Sequence, residues 1–148
     1  MKAVVQVVKH ASVMVEGTVT GRCEKGLLVY LGVARGDSRE AASCLAEKIC
    51  GLRIFEDAGG KMNRSVKDTG GGILAISQFT LLADTRKGKR PSFGDAADPQ
   101  TAEELYEYFM EKVREQGVQC EAGVFQTHME VTYTNDGPVT IILEKVLP

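Results

Sequence analysis

The segment from Ala3 to Val33 reads almost entirely as strand, and this limits the fold more than any other feature. Ala3 to Val8 is β-branched and apolar. Ala11 to Glu16 alternates, with Val13 and Val15 on one face and Ser12, Met14 and Glu16 on the other. Gly17 supplies a turn, and Thr18 to Cys23 alternates again. Gly26 then opens Leu27 to Val33, a run apolar enough to be buried on both faces. Short turns between successive strands favour antiparallel pairing.

Two helices interrupt this pattern. Asp37-Ser38-Arg39-Glu40 reads as a capping box, and Ala42, Leu45, Ile49 and Leu52 follow at helical spacing, with Gly51 near the end. The second helix is marked more clearly. Asp98 caps it, Pro99 suits its first turn, and Ala102, Leu105, Tyr106, Phe109 and Val113 form its apolar stripe before Gly117 stops it. Between the helices, Arg53 to Glu56 returns to strand. Asp57 to Gly72, polar and with five glycines, reads as loop or irregular hairpin. Ile73 to Leu82 is a buried strand, and Asp84 to Pro99 a second polar loop. Gln119 to Phe125, His128 to Thr134 and Val139 to Val146 close the chain as strands. Two helices cannot cover both faces of a large parallel sheet. The expected fold is therefore α+β: one domain over residues 1–148, with a curved, barrel-like, largely antiparallel β-sheet and two helices. Its last strand leaves an edge for a partner chain to cover.

Charge and composition exclude several functions. Eighteen Lys+Arg against 20 Asp+Glu, a net charge of −2, rule out a strongly basic DNA-coating protein, though not a local basic patch. A 43% hydrophobic share excludes disorder over the whole length, and the absence of Trp argues against a broad base-stacking platform. No run approaches the roughly 18 to 20 apolar residues of a membrane span. The opening MKAVVQVVKHASV is a strand pattern rather than a signal peptide. Cys44 and Cys50 share a helix, about 9 Å apart and too far for a disulfide. With Cys23 and Cys120 they read as free thiols of a soluble, cytoplasmic protein, and none of the spacings matches a zinc site.

The chain lacks the usual catalytic signatures. His10 and His128 sit in alternating strand patterns without a nucleophile elbow. The Gly70-Gly71-Gly72 run lacks the Lys-Ser/Thr of a P-loop, and there is no metalloprotease motif. An enzyme built this way must rely on positioning and main-chain hydrogen bonds. An activated ester whose own substrate carries a helpful hydroxyl would suit it.

Three segments remain. Ser77-Gln78-Phe79-Thr80-Leu81 ends a buried strand with polar side chains, the pattern of a pocket or of a strand emerging into solvent. An internal Thr80 has no α-amino base and no visible histidine, which argues against a nucleophile. Asn135-Asp136-Gly137-Pro138-Val139-Thr140 is a stiff bend, either a plain hairpin turn or a cis pair that redirects the glycine carbonyl. Arg86-Lys87-Gly88-Lys89-Arg90, before Pro91-Ser92-Phe93, is either a solvated basic loop or a phosphate contact, with Lys61, Arg64 and Lys67 as extensions. A non-catalytic nucleic-acid module and a structural dimer are the competing readings.

Taken together, Ser-Gln-Phe-Thr-Leu, Arg-Pro-Ser-Phe and Asn-Asp-Gly-Pro-Val-Thr, with Val13-Val15-Glu16-Gly17 and Lys61-Met62-Asn63, resemble the D-aminoacyl-tRNA deacylases over nearly the whole chain. The resemblance implies hydrolysis of the ester between a D-amino acid and the tRNA 3′-terminal ribose, and of glycine mischarged on alanine tRNA. It implies a cytoplasmic homodimer with interface active sites and no cofactor. Ser77, Gln78, Phe79 and Thr80 would line the catalytic pocket, and main-chain N–H groups near Phe79 and Thr80 would hold the ester carbonyl. Ala102, Phe125 and Met129 would form the walls and adenine seat. Gly137 and Pro138 would be a cis pair that enters the partner's pocket and rejects L-substrates, while the tRNA 2′-hydroxyl assists catalysis. Arg86, Lys87, Lys89 and Arg90 would contact tRNA. One position departs from the pattern. Many members of the family carry arginine after the early glutamine, where it braces the Gly-Pro pair, whereas this chain has Gln6-Val7. Valine cannot donate a hydrogen bond from its side chain, so either another group braces the loop or the pair is less tightly held.

Overall fold

The computed structural model describes residues 1–144 and Val146. Its first strand, β1 (Lys2–Val15), runs through both segments that the sequence separates. Lys9 and His10 point to solvent and the register against the last strand shifts between Val8 and Ala11, so the strand bends without turning back. Glu16 and Gly17, at φ 49° and 81°, make the tight turn into β2 (Thr18–Cys23). β2 and then β3 (Gly26–Gly32) pair antiparallel with successive halves of β1.

The helix α1 (Arg39–Gly51) starts on Ser38, whose hydroxyl accepts the Ala41 N–H at 3.2 Å. The expected capping box is only half formed, because its third helical residue is Ala41 rather than an acid. Asp37 serves elsewhere: it accepts the Ala34 N–H and holds the Met1 ammonium at 2.8 Å. The polar stretch after α1 contains a small hairpin, β4 (Phe55–Glu56) with β5 (Met62–Arg64), and a helical turn, α2 (Val66–Thr69), that the sequence pattern does not announce. Ser65 and Asp68 close a reciprocal capping box on that turn, at 3.2 and 2.9 Å.

β6 (Gly72–Ser77) lies parallel to β3. After α3 (Pro99–Glu115), β7 (Cys120–Ala122) lies parallel to β6. These parallel ladders follow from the connections: α1 and α3 carry the chain back across the sheet, so each returning strand runs in the same direction. The sheet order is β2-β1-β3-β6-β7, and β8 (Glu130–Glu144) pairs antiparallel along β1. β2 and β7 nearly close the barrel. The Arg22 N–H donates to Glu121, and Gly21 lies so close to the Ala122 main chain that a Cβ would not fit.

Alternation sorts the core into two layers. Leu27, Val29, Leu31, Ile73 and Ala75 face α1 and α3, where Leu45, Ile49, Tyr106, Phe109 and Val113 are buried against them. Leu28, Leu74, Ile76, Val8 and Val13 form a smaller cluster on the opposite face, and Tyr30, Met129, Val131 and Tyr133 only half cover it. No helix among the described residues is long and apolar enough to cross a membrane.

Three strand ends differ from expectation. β6 stops at Ser77, and Phe79–Leu82 is a 3₁₀ turn, because its neighbour β3 ends at Gly32. The turn folds over Gly32, where a Cβ would lie 2.5 Å from Leu82. β7 stops at Ala122, and the chain leaves the sheet through Gln126 at φ 59°. The two expected terminal strands are one, β8, whose Gly137–Pro138 segment bulges outward instead of forming a hairpin. Lys145, expected at its end, lies outside the described residues.

Candidate active site

The half-covered side of the sheet opens into a cavity of about 860 Å³. Its floor is the end of β6. Ile76, Ser77, Gln78 and Phe79 all line it, as does Tyr30 on neighbouring β3. The Gln78 N–H donates to the Leu31 carbonyl at 2.8 Å and ends the β3–β6 ladder. Beyond it the 3₁₀ turn begins with no side-chain cap. The N–H groups of Phe79 and Thr80, the first two in the turn, meet no acceptor among the described residues.

One wall is the start of α3. Asp98 accepts the Thr101 N–H at 3.1 Å, Pro99 opens the helix, and Ala102 presents a small side chain to the cavity. The opposite wall is the excursion between β7 and β8, which contributes Phe125, Gln126, Thr127, His128 and Met129. Tyr106 fixes this wall from behind. Its hydroxyl donates to the Ala75 carbonyl at 2.6 Å and its ring stacks on Phe125 with centroids 6.3 Å apart. Burial pushes that hydroxyl's pKa up, so it stays a donor. Met129 packs over Gly123, where a Cβ would stand 2.5 Å from its sulfur.

Among the described residues, Tyr30 and His128 are the only titratable side chains on the lining. Burial, with Tyr133 second, moves the Tyr30 hydroxyl up to about 12, so it is neutral at physiological pH. No described carboxylate lines the cavity. Sequence reasoning missed Tyr30 as a lining residue. Its signal was the only polar tip in the apolar run Leu27 to Val33. It also missed His128 and the small residues Ala96 and Ala97, which occupy positions that only the tertiary path defines.

Six of the residues named from sequence thus gather on one cavity: Ser77, Gln78, Phe79, Ala102, Phe125 and Met129. Three do not. The 3₁₀ turn carries the Thr80 side chain out to solvent, and Gly137 and Pro138 stand exposed on β8, away from this chain's own cavity. The Gly137–Pro138 bond is cis.

The basic loop is also off the cavity, but it is a built feature. Paired main-chain bonds between Asp84 and Ser92 (2.8 and 3.0 Å) close its base. The Asp84 carboxylate grips the Arg86 guanidinium at 2.9 and 2.7 Å and its main-chain N–H at 3.0 Å. That fork holds the Asp84 carboxyl down at about 2. Arg86 is therefore occupied, whereas Lys87, Lys89 and Arg90 are exposed. Phe93, next to Ser92, meets Phe79 edge to face at 5.0 Å, and this contact joins the loop to the mouth of the cavity.

The family model described as D-Tyr-tRNA(Tyr) deacylase matches residues 4–144. The chain belongs to this family of hydrolases. It is 60% identical over 144 residues to a D-aminoacyl-tRNA deacylase of Koribacter versatilis, covering 97% of both chains. It is 54% identical to another of Rhodopirellula baltica, covering 97% of this chain and 99% of the relative. Among solved structures, a c-Myc DNA unwinding element binding protein superposes with a TM-score of 0.91 at 40% identity, over 98% of this chain and 99% of that one. A probable eukaryotic D-amino acid tRNA deacylase gives a TM-score of 0.81 at 17% identity, over 96% and 97%, which speaks for the fold alone.

Proposed function

We propose that this chain hydrolyses the ester joining a D-amino acid, or glycine mischarged on alanine tRNA, to the 3′-terminal ribose of tRNA. Water adds to the ester carbonyl carbon, and the bond to the ribose oxygen breaks. That oxygen takes up a proton, releasing free tRNA and the amino acid. The observation that carries this reading is the Phe79 N–H on the cavity lining, with the Thr80 N–H beside it in the turn, neither meeting an acceptor among the described residues. They suit an oxyanion better than any side chain there, since a tetrahedral intermediate needs donors fixed in advance.

Among the described residues the lining offers no carboxylate to act as base. The reading therefore takes the proton relay from the substrate: the ribose 2′-hydroxyl assists the attack, and the protein positions it. Ala102 leaves room for the ester, while Phe125 and Met129 form the seat of the terminal adenine. The volume suits an aminoacyl-adenosine, since small-ligand pockets span roughly 300 to 1,000 Å³. Lys87, Lys89 and Arg90 contact the phosphates that precede the terminal nucleotide.

Handedness is judged by a second copy of the chain. The core-facing residues of β8 (Val131, Tyr133, Val139, Ile141 and Leu143) are only half-buried, and Ile142 is 62% exposed. A homodimer packed on this face would bring the Gly137–Pro138 pair of one copy toward the cavity of the other. A rigid main-chain carbonyl beside the chiral centre would leave no space for an L side chain. The place of action is the cytoplasm, where aminoacyl-tRNA is made and used.

The test is deacylation of matched D-, L- and glycyl-tRNA, repeated with a 2′-deoxy terminal adenosine. The D and glycyl esters should be cut, the L ester spared and the 2′-deoxy substrate nearly inert. Equal cleavage of both hands would end the chiral reading. An undiminished rate on the deoxy substrate would end the substrate-assisted one.

A further inference from the structure

We infer that Asn135 is the positioning residue that sets the shape of the Gly137–Pro138 bulge, and that it does the bracing for which the Val7 side chain has no donor. The inference rests on the reading of that bulge as the handedness gauge.

The register shows what must be held. On β1, Gln6 pairs with Thr140 and Val8 with Asn135, so one intervening residue, Val7, faces four on β8, residues 136–139. Those residues are expelled from the ladder as a closed loop. Its tip, Gly137 and Pro138, is exposed, and proline has no N–H with which to rejoin the sheet. The tip can hold one shape only if the loop's base is fixed.

Asn135 fixes the base with its whole hydrogen-bonding capacity. Its Nδ2 donates to the Val7 carbonyl at 2.9 Å and to the Val139 carbonyl at 3.0 Å. Its Oδ1 accepts from Gln6 Nε2 and from Thr140 Oγ1, each at 3.3 Å. Two donors and two acceptor sites are all an amide has. Gln6 also donates to Thr140 at 3.1 Å, so the three side chains form a ring beneath the bulge. The bond to position 7 uses the main-chain carbonyl, which every residue type provides. The brace is therefore indifferent to the loss of a side-chain donor there.

The geometry requires asparagine specifically. Aspartate has the same shape but no N–H, and it would set a negative charge against the carbonyls of Val7 and Val139. Glutamine would overshoot by one methylene.

The experiment measures kcat/KM on matched D- and L-aminoacyl-tRNA for the full-length wild type and three variants. Asn135→Asp should lower the D-over-L ratio at least tenfold while the D-activity falls less than fivefold. Thr140→Val keeps both donor bonds and should lower the ratio about threefold, which provides a reading if Asn135→Asp folds poorly. Deletion of 137–139 restores unbroken register between the strands and tests the gauge itself. Loss of discrimination in both the deletion and the substitutions supports the proposal. Loss in the deletion alone, with the substitutions within twofold of wild type, overturns the positioning role and leaves the gauge standing. An unchanged ratio in the deletion overturns the gauge and the proposal with it. A brace that served stability alone would lower the melting temperature of Asn135→Asp without moving the ratio, and that result too would overturn the proposal.

Discussion

The Tyr106 hydroxyl donates 2.6 Å to the main-chain carbonyl of Ala75, from a helix behind the site to the strand that forms its floor. This bond ties α3 to β6, and the same ring supports Phe125. Tyr106→Phe keeps the ring and removes one of the two donors to a buried carbonyl, which retains the Gly123 N–H at 3.4 Å. The variant should lose about 0.5 to 1.5 kcal/mol of stability, the net worth of one hydrogen bond. KM should stay within about twofold, because the Phe125 stack survives. Chemical denaturation and steady-state kinetics on one preparation check both, and a large rise in KM at unchanged stability would reverse the assignment.

Gly123 and Met129 give the opposite expectation. A Cβ on Gly123 would stand 2.5 Å from the Met129 sulfur, the flexible end of a side chain that lines the cavity. Methionine can move aside, so Gly123→Ala should cost little stability. The displaced thioether would then alter the seat proposed for the terminal adenine. KM for aminoacyl-tRNA should rise severalfold with kcat nearly unchanged, and an unchanged KM would remove Met129 from the binding surface.

Neither Thr80 nor His128 is placed to carry the chemistry alone. Thr80 is exposed outside the cavity, and His128 lies on its solvent-facing wall. Thr80→Ala and His128→Ala should each retain most of kcat. A loss of a thousandfold in either, with folding and tRNA affinity intact, would restore a protein-supplied nucleophile or base.

These expectations show how unevenly function is written into the chain. Period-two alternation separates the two faces of β3 and β6, and so Leu27 and Ile73 from Leu28 and Leu74. The cap at Asp98 and the stripe ending at Val113 define α3, and with it the place of Ala102. The parallel ladders are hidden, because pairing direction depends on where the helices return the chain. So is the break at Ser77. Gln78 to Leu82 has a strand's composition, and it turns only because β3 offers it no further partner. The bulge at Gly137 reads as a bend, but its brace combines Gln6 with Asn135, residues 129 positions apart. No local pattern records that contact.

The thiols make a pH prediction. Burial raises Cys23 and Cys50 to about 11 and Cys120 to about 12, from an ordinary value of 9.0. Folding thus favours the neutral form. Their contribution is fully present below about pH 9 and is lost as pH rises from there toward 11 to 12, because the unfolded chain ionises first. Stability should decline above pH 9. At pH 8 an alkylating agent should modify the partly exposed Cys44 first and the other three only on unfolding. Equal reaction at all four in the native state would contradict the burial.

The basic loop gives the last prediction. Asp84 holds Arg86, so the cations free to meet phosphate are Lys87, Lys89 and Arg90. Lys87→Ala with Lys89→Ala should raise KM about tenfold at low salt and leave kcat alone. Each phosphate that the protein ceases to neutralise takes about 0.7 off the slope of log affinity against log salt for a single strand, so the double variant should flatten that slope by about 1.4. The Asp84 clasp should not add a pH dependence of its own. Its carboxyl sits at about 2, below the ordinary 3.8, so the clasp is complete above that ordinary value and is lost only as pH falls through 2. Between pH 5 and 8 the effect of the double variant should therefore be constant. If affinity and salt slope are both unchanged, tRNA does not touch the loop.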